Sequence, residues 1–278
     1  MIALLAILAL ATAAPAAARP AGVRPSIQPA DTPVVRLDLD GLKARLAQDT
    51  HGEPPDLSRT DLSGLDLSGL DFKKANLTGA RFENAKMAGA NLFACDLTDA
   101  VLTGADLTGA NLDGTVLRRA RLQRANLQGA SLFATIVEAA DLSGANLSET
   151  RIIGYLRAAN LAGATVRNAN AGADPGNQSM GVMRATFVGA NLSGADFSGS
   201  NLFKADFSHA NLSGAKLAGA NLDNAELVQA DLTKADVTGM SLSKADLNEA
   251  DFRGATGVSL IKGLDEARNK DKAIFDAK

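Results

Sequence analysis

The sequence predicts an all-β repeat solenoid, and three observations carry that reading. In the stretch ADFSGSNLFKADFSHANLSGAKLAGANL, residues 195–222, a large apolar side chain returns at every fifth position: Phe197, Leu202, Phe207, Leu212, Leu217 and Leu222. A period of five fits neither the 3.6 of an α-helix nor the 2.0 of a flat strand. Two residues before most of these positions stands Ala, with Asp or Asn between, so each unit points one large and one small apolar side chain inward and a polar one outward. The same beat fills most of the chain, and units of this kind bury their apolar face by stacking rather than around one globular core.

Composition excludes several classes of function. A net charge of −3 over 278 residues is too slight for a nucleic-acid-binding basic field or a strongly acidic surface. With Cys95 as the single cysteine, no disulfide can form within the chain and a cysteine-based metal site is not expected.

The first 18 residues, MIALLAILALATAAPAAA, read as a signal peptide. They form an apolar run that ends in small residues with A-x-A spacing at Ala14–Ala16 and Ala16–Ala18, followed by Arg19 and Pro20. Cleavage is expected near residues 16–19, which would send the protein to the periplasm or outside the cell with no stable membrane insertion. An uncleaved anchor is the alternative, because the run approaches the roughly 20 residues needed to span a bilayer. Residues 19–37, with Pro20, Pro25, Pro29 and Pro33, are expected to be an extended linker. In residues 38–55 the spacing of Leu39, Leu42 and Leu46 predicts a short helix, N-capped by Asp38 or Asp40 and stopped by Gly52, Pro54 and Pro55. It would seal the first repeat and hide unpaired strand edges.

From Leu57 the beat runs through Leu62, Leu67, Phe72 and Leu77 to Ile152. The central residue is followed by a polar one and then often by Gly, as in Leu107-Thr108-Gly109, which supplies a corner. Lys204, Lys234, Lys244 and Arg124 occupy the same slot, so the corner is not expected to demand a left-handed conformation everywhere.

Units such as ANLSG, ADFSG, ANLTG and ADLTG follow the pattern A-[D/N]-L-x-x, and over residues 56–256 the chain resembles the pentapeptide repeat family. The resemblance implies a right-handed quadrilateral β-helix with four units per coil and short helical caps. About 38 units would make nine or ten coils and, at about 4.8 Å each, a rod roughly 45 Å tall. Stacking at that interval would alternate the charges of Asp196, Lys216 and Asp236 on one face.

Two breaks interrupt the beat. One residue is missing around RIIGYLRAANL, and a loop is expected near residues 172–184, with Asp174, Pro175, Gly176 and Gly181. Residues 257–278 leave the beat and are expected to form a partly helical C-terminal cap.

No catalytic, cofactor-binding or metal-binding residue stands out. Ser and Asp recur everywhere and His51 and His209 exist, but repetition supplies such neighbours by chance. A noncatalytic structural or protein-interaction module is therefore the expected function, with an envelope protein as partner, no nucleic acid, and a homodimer through a capped end as one permitted assembly. The partner surface is expected at the breaks, where Arg151, Tyr155, Arg157, Arg167, Asp174, Met180 and Met183 depart from the repeating chemistry. A second candidate patch is Arg81, Arg118, Arg119, Arg121 and Arg124. The alternative function, inhibition or protection of a type II topoisomerase by DNA mimicry, is disfavoured by the export signal. It is also disfavoured by charge, since residues 56–256 carry 22 acidic and 18 basic side chains.

Overall fold

The computed structural model describes residues 34–48, 52–173 and 183–277. The expected signal peptide, most of the linker, His51, Asp174 and Met180 lie outside these residues. Over most of the described chain, parallel bridges join an outward residue to the one 20 positions later, as in Asp56 to Asn76, Asp61 to Arg81, Asp66 to Lys86 and Asp71 to Asn91. Four such columns, five residues apart, make each coil four-sided. Counted in chain order, the sides carrying Asp56, Asp61, Asp66 and Asp71 are here sides one to four.

Each side uses its backbone the same way. Leu212 N–H donates to Asp231 O at 2.7 Å and Gly214 N–H to Thr233 O at 2.8 Å in the next coil, while Asn211 N–H donates to Ala190 O at 2.9 Å in the coil before. Ala215 N–H closes the corner on Leu212 O at 2.9 Å. The inward pair is fully buried at almost every unit, Leu212 at 0% exposed and Ala210 at 1%. A buried leucine contributes about 1.5–3 kcal/mol relative to an exposed one. Where aromatics fill the central slot they stack: the Phe187 and Phe207 rings lie 4.8 Å apart and near parallel, and Phe197 meets both edge-on. Polar residues in the small inward slot are satisfied by the core backbone, Thr115 Oγ1 donating to Leu92 O at 2.8 Å and Thr135 Oγ1 to Leu112 O at 3.0 Å.

The outward Asp or Asn has a structural role as well as a polar one. Its Oδ1 accepts the backbone N–H two residues on, as from Ser213 to Asn211 at 3.0 Å and from Ser143 to Asp141 at 3.0 Å. Asparagines also ladder between coils, Asn146 Nδ2 donating to Asn126 Oδ1 at 3.0 Å.

The corners differ from expectation. Lys204, Lys234, Lys244 and Arg124 are all left-handed, with φ of 60°, 59°, 60° and 58°, like the glycines in the same slot. The turn bond, and at Arg124, Lys204 and Lys234 the corner N–H bond to the next coil, fix this conformation against the side chain's own preference.

At the N-terminus, β1 (Val35–Arg36) pairs in parallel with β2 (Thr60–Asp61). Residues 35 and 36 therefore belong to the solenoid edge, and the linker does not reach residue 37. Helix α1 (Leu39–Ala47) follows, with Asp38 as the N-cap accepting from Gly41 N–H at 2.8 Å, and its Leu42 and Leu46 join the core.

The missing residue lies where β3 (Ser131–Ile136) pairs with β4 (Arg151–Tyr155). Phe133 aligns with Ile153 and Ile136 with Tyr155, so Ala134 and Thr135 face Gly154 alone. Bridges from Ile136 to Arg151 then span 19 residues, and those from Tyr155 to Asn170 span 31, because eleven extra residues leave the corner between Asn170 and Thr186.

The C-terminal segment does not leave the rod as a separate cap. It adds another layer with six-residue sides: Thr256, Lys262, Arg268 and Ile274 bridge Asp236, Ser241, Asp246 and Asp251. The extra residue enters the corners as 3-10 turns at Val258–Leu260, Leu264–Glu266 and Lys270–Lys272, each led by a left-handed Gly257, Gly263 or Asn269. Those corners give no carbonyl to the coil below: the N–H groups of Gly239, Lys244 and Glu249 find no backbone partner among the described residues.

Candidate protein-interaction surface

Side one breaks the polar ladder. Its outward column runs from Asp96 through Val116, Ile136 and Tyr155 to Thr186 and Asp206. Among the described residues only this column carries apolar side chains at three consecutive coils. Val101 on side two stands singly between Arg81 and Arg121. An outward Asp or Asn secures its own turn by accepting a backbone N–H, and Val, Ile and Tyr cannot. Val116 and Ile136 are half-buried, whereas Tyr155 is 40% exposed.

The corner beside this column is also distinctive. Phe133, outward on side four, lies under Arg151, whose guanidinium carbon is 4.2 Å from the ring centroid. Outward Phe93 and Phe203 stand on the same side, each with a cation over its ring: Lys74 at 5.8 Å and Lys204 at 5.2 Å.

Of the residues expected at the breaks, Tyr155 and Arg157 share side one and Arg151 belongs to the adjoining side four. Met183, partly buried, opens the chain's return just before Thr186. Arg167 is not part of this group: it stands on side three, across the rod, ion-paired to Asp196 at 2.7 Å. Burial by itself would raise the Asp196 pKa, but hydrogen bonds from Arg167 and Ser198 outweigh it and hold the carboxyl below its usual range. Val116, Ile136 and Phe133 were missed by sequence reasoning. For Val116 and Ile136 the signal is an apolar residue in the Asp/Asn slot recurring at the coil interval; for Phe133 it is an aromatic in the usually polar slot after the central Leu132.

The second candidate patch wraps sides one and two. Arg118 pairs with Glu138 at 3.4 Å, Arg119 with Asp99 at 2.6 Å and Arg81 with Glu83 at 2.9 Å. Arg121 and Arg124, like Arg157, make no ion pair with a described residue. A shallow cleft lined by Arg184, Lys204, Lys244 and Arg268 is basic, but Arg184 is committed to Asp206 at 3.3 Å and Glu226 at 2.9 Å.

Elsewhere the titratable groups are structural. His209 sits at an exposed left-handed corner. Cys95 is buried in the small inward slot, and desolvation pushes its thiol pKa up to about 12. Among the described residues no three His, Cys, Asp or Glu side chains are placed to hold a metal ion.

The profile of the family described as Pentapeptide repeats matches 8 copies, over residues 56–92, 95–132, 183–219, 210–248 and 220–256. Among solved structures, HetL of the cyanobacterium Nostoc, a pentapeptide repeat protein involved in heterocyst differentiation regulation, is 29% identical over 86% of this chain and 94% of its own, with a TM-score of 0.41. A pentapeptide repeat protein of the Arabidopsis thaliana thylakoid lumen is 38% identical over 35% of this chain and 68% of its own, with a TM-score of 0.35. Full-length QnrB1, a plasmid-mediated fluoroquinolone resistance protein, is 17% identical over 78% of this chain and 93% of its own, with a TM-score of 0.31. No curated protein sequence matches the chain. With more than half of its residues matched by the family profile and its five-residue units stacked in four bridged columns, the chain belongs to the pentapeptide repeat family.

Proposed function

We propose that this protein is an exported, noncatalytic interaction module, a right-handed rod that presents side one to a protein of the cell envelope. The observation that carries the reading is the Val116–Ile136–Tyr155 column, half-buried at Val116 and Ile136 and exposed at Tyr155, where apolar side chains replace the polar ladder of the other sides. Rigid repeats place such a face without rearrangement, so little ordering entropy opposes docking. Export rests on the apolar run and A-x-A spacing of residues 1–18. A topoisomerase-directed DNA mimic is the weaker reading, because Asp196, Lys216 and Asp236 alternate in sign along one column where a duplex is uniformly negative.

A photo-crosslinking residue at position 155, compared with one at position 216 across the rod, tests the interaction reading in the native host. Adducts at 155 and not at 216 are expected. Equal adducts at both, or none at 155, would remove side one as the docking face. Intact-mass analysis of protein recovered from the envelope tests export: loss of about 16 to 18 residues is expected, and a retained Met1 with membrane fractionation sinks it.

A further inference from the structure

The basic cleft at the corner between sides four and one is a recess of about 700 Å³, lined among the described residues by Arg184, Lys204, Asn224, Lys244 and Arg268 and by no acidic side chain. Lys204, Asn224 and Lys244 occupy the same left-handed corner on three successive coils.

The two arginines are framework. Arg184 Nη1 donates to Lys204 O at 3.4 Å and to Glu226 at 2.9 Å, and its Nη2 donates to Asp206 at 3.3 Å. Arg268 Nε donates to Lys244 O at 3.2 Å, with Nη1 3.7 Å from Asp246. These carboxylates stand on side one and are already engaged. Asp223 on side four is engaged too, accepting from Ser241 Oγ and from Ser243 N–H at 2.9 Å.

The lysines are not so committed. Neither Lys204 nor Lys244 has an ion-pair partner among the described residues, and the Asn224 side chain makes no hydrogen bond with them. Lys204 is half-buried, its ammonium group 5.2 Å from the Phe203 ring centroid. The Lys204 and Lys244 backbones are two coil steps apart, about 9.6 Å. Their flexible four-carbon stems let both ammonium groups reach an anion seated over Asn224. Three donors then approach from three directions, two of them charged. A carboxylate offers one charge and two oxygens in a plane, whereas a phosphate monoester brings nearly two negative charges and three acceptor oxygens.

We propose that this recess binds the phosphate group of a phosphate monoester, with Lys204 and Lys244 donating from the coils above and below and Asn224 from between them. Arg184 and Arg268 hold the two ends of the recess in place. The site uses none of Val116, Ile136 and Tyr155, so it stands apart from the side-one reading.

The test titrates the full chain with inorganic phosphate and with glycerol phosphate, followed by backbone amide NMR, with acetate as the carboxylate comparator and vesicles with and without phosphatidic acid as a lipid arm. Saturable shifts centred on Lys204, Asn224 and Lys244 are expected with phosphate and not with acetate. Lys204→Gly and Lys244→Gly keep the left-handed corner while removing the ammonium group, and each should weaken binding about tenfold. The double variant should abolish it. Lys234→Gly makes the same backbone change at another corner and should leave binding unchanged. Melting curves confirm that each variant is folded, and Lys204→Gln and Lys244→Gln replace a glycine variant that is not. Binding of the free phosphates assigns a soluble ligand; retention on phosphatidic-acid vesicles alone, lost in the double variant, assigns a lipid headgroup. Failure of every phosphate probe to bind, acetate binding as tightly as glycerol phosphate, or equal weakening by Lys234→Gly overturns the proposal. None of these results alters the outcome of crosslinking at position 155.

Discussion

Gly154 runs so close to Thr135 that a Cβ on the glycine would stand 2.5 Å from the threonine's carbonyl oxygen. This contact exists because one residue of β4 faces two of β3, drawing the two backbones together at the shortened corner. Gly154→Ala must push the coils apart just beneath Tyr155. It should cost about 1–3 kcal/mol in urea denaturation. A neutral substitution would mean that the shortened corner is not where the missing residue is absorbed.

Left-handed lysines give a prediction of opposite sign. Lys234 has φ of 59°, in a conformation that costs a residue with a Cβ about 1–2 kcal/mol. Lys234→Gly removes that strain at the expense of a more flexible unfolded chain, for a net gain of up to about 1 kcal/mol. Chemical denaturation checks it, and a destabilised variant would contradict the corner geometry.

Inward and outward residues should separate by size of effect. Leu212→Ala opens the core and should cost about 2–5 kcal/mol. Asn211→Ser loses part of the bond from Ser213 N–H and a long 3.5 Å contact to Asn191, about 0.5–1.5 kcal/mol. Thermal melts showing equal damage would refute the inward assignment.

Cys95 should be silent while the protein is folded. A buried thiol with its pKa near 12 carries almost no thiolate at neutral pH. Labelling by a maleimide should therefore appear only with denaturant, and rapid labelling of native protein would place Cys95 at the surface.

Acid should weaken the fold through its hydrogen-bonded carboxylates. Asp196 has its pKa depressed in the fold, so the stability it contributes is complete above the unfolded value of about 3.9 and is lost as pH falls through the lower folded value. Arg167→Ala removes one cause of the depression. Its melting temperature should lie below that of the unmodified protein at pH 6 and converge with it at strongly acid pH. A gap that widened on acidification would reverse the linkage.

Much of the fold was legible because burial alone dictates it: Leu212 and Ala210 advertise their positions by being apolar at fixed spacing. Corner conformation was hidden, since nothing in Lys204 or Arg124 as residues asks for a left-handed backbone and only the stacked coils impose it. The proposed interaction face was half legible. Tyr155 and Arg151 drew notice as departures, whereas Val116 and Ile136 join them only through stacking, and Arg167, near in sequence, is carried across the rod by half a coil. At the C-terminus, Gly257, Gly263 and Asn269 already show a six-residue spacing, masked by a charged stretch that reads as helix.

That six-residue layer bears on how the rod ends. A five-residue coil is its own template: every side and every corner offers the next copy a matching donor or acceptor, and such an edge recruits further chains into filaments. Sides of Ser241, Asp246 and Asp251 still find partners in Lys262, Arg268 and Ile274, yet the corners of Gly239, Lys244 and Glu249 do not. The layer accepts stacking from beneath while presenting bulged corners above, where a second chain's regular coil would find only part of the pattern it needs. A change of metre within the chain itself thus lowers the match between this layer and any further five-residue repeat.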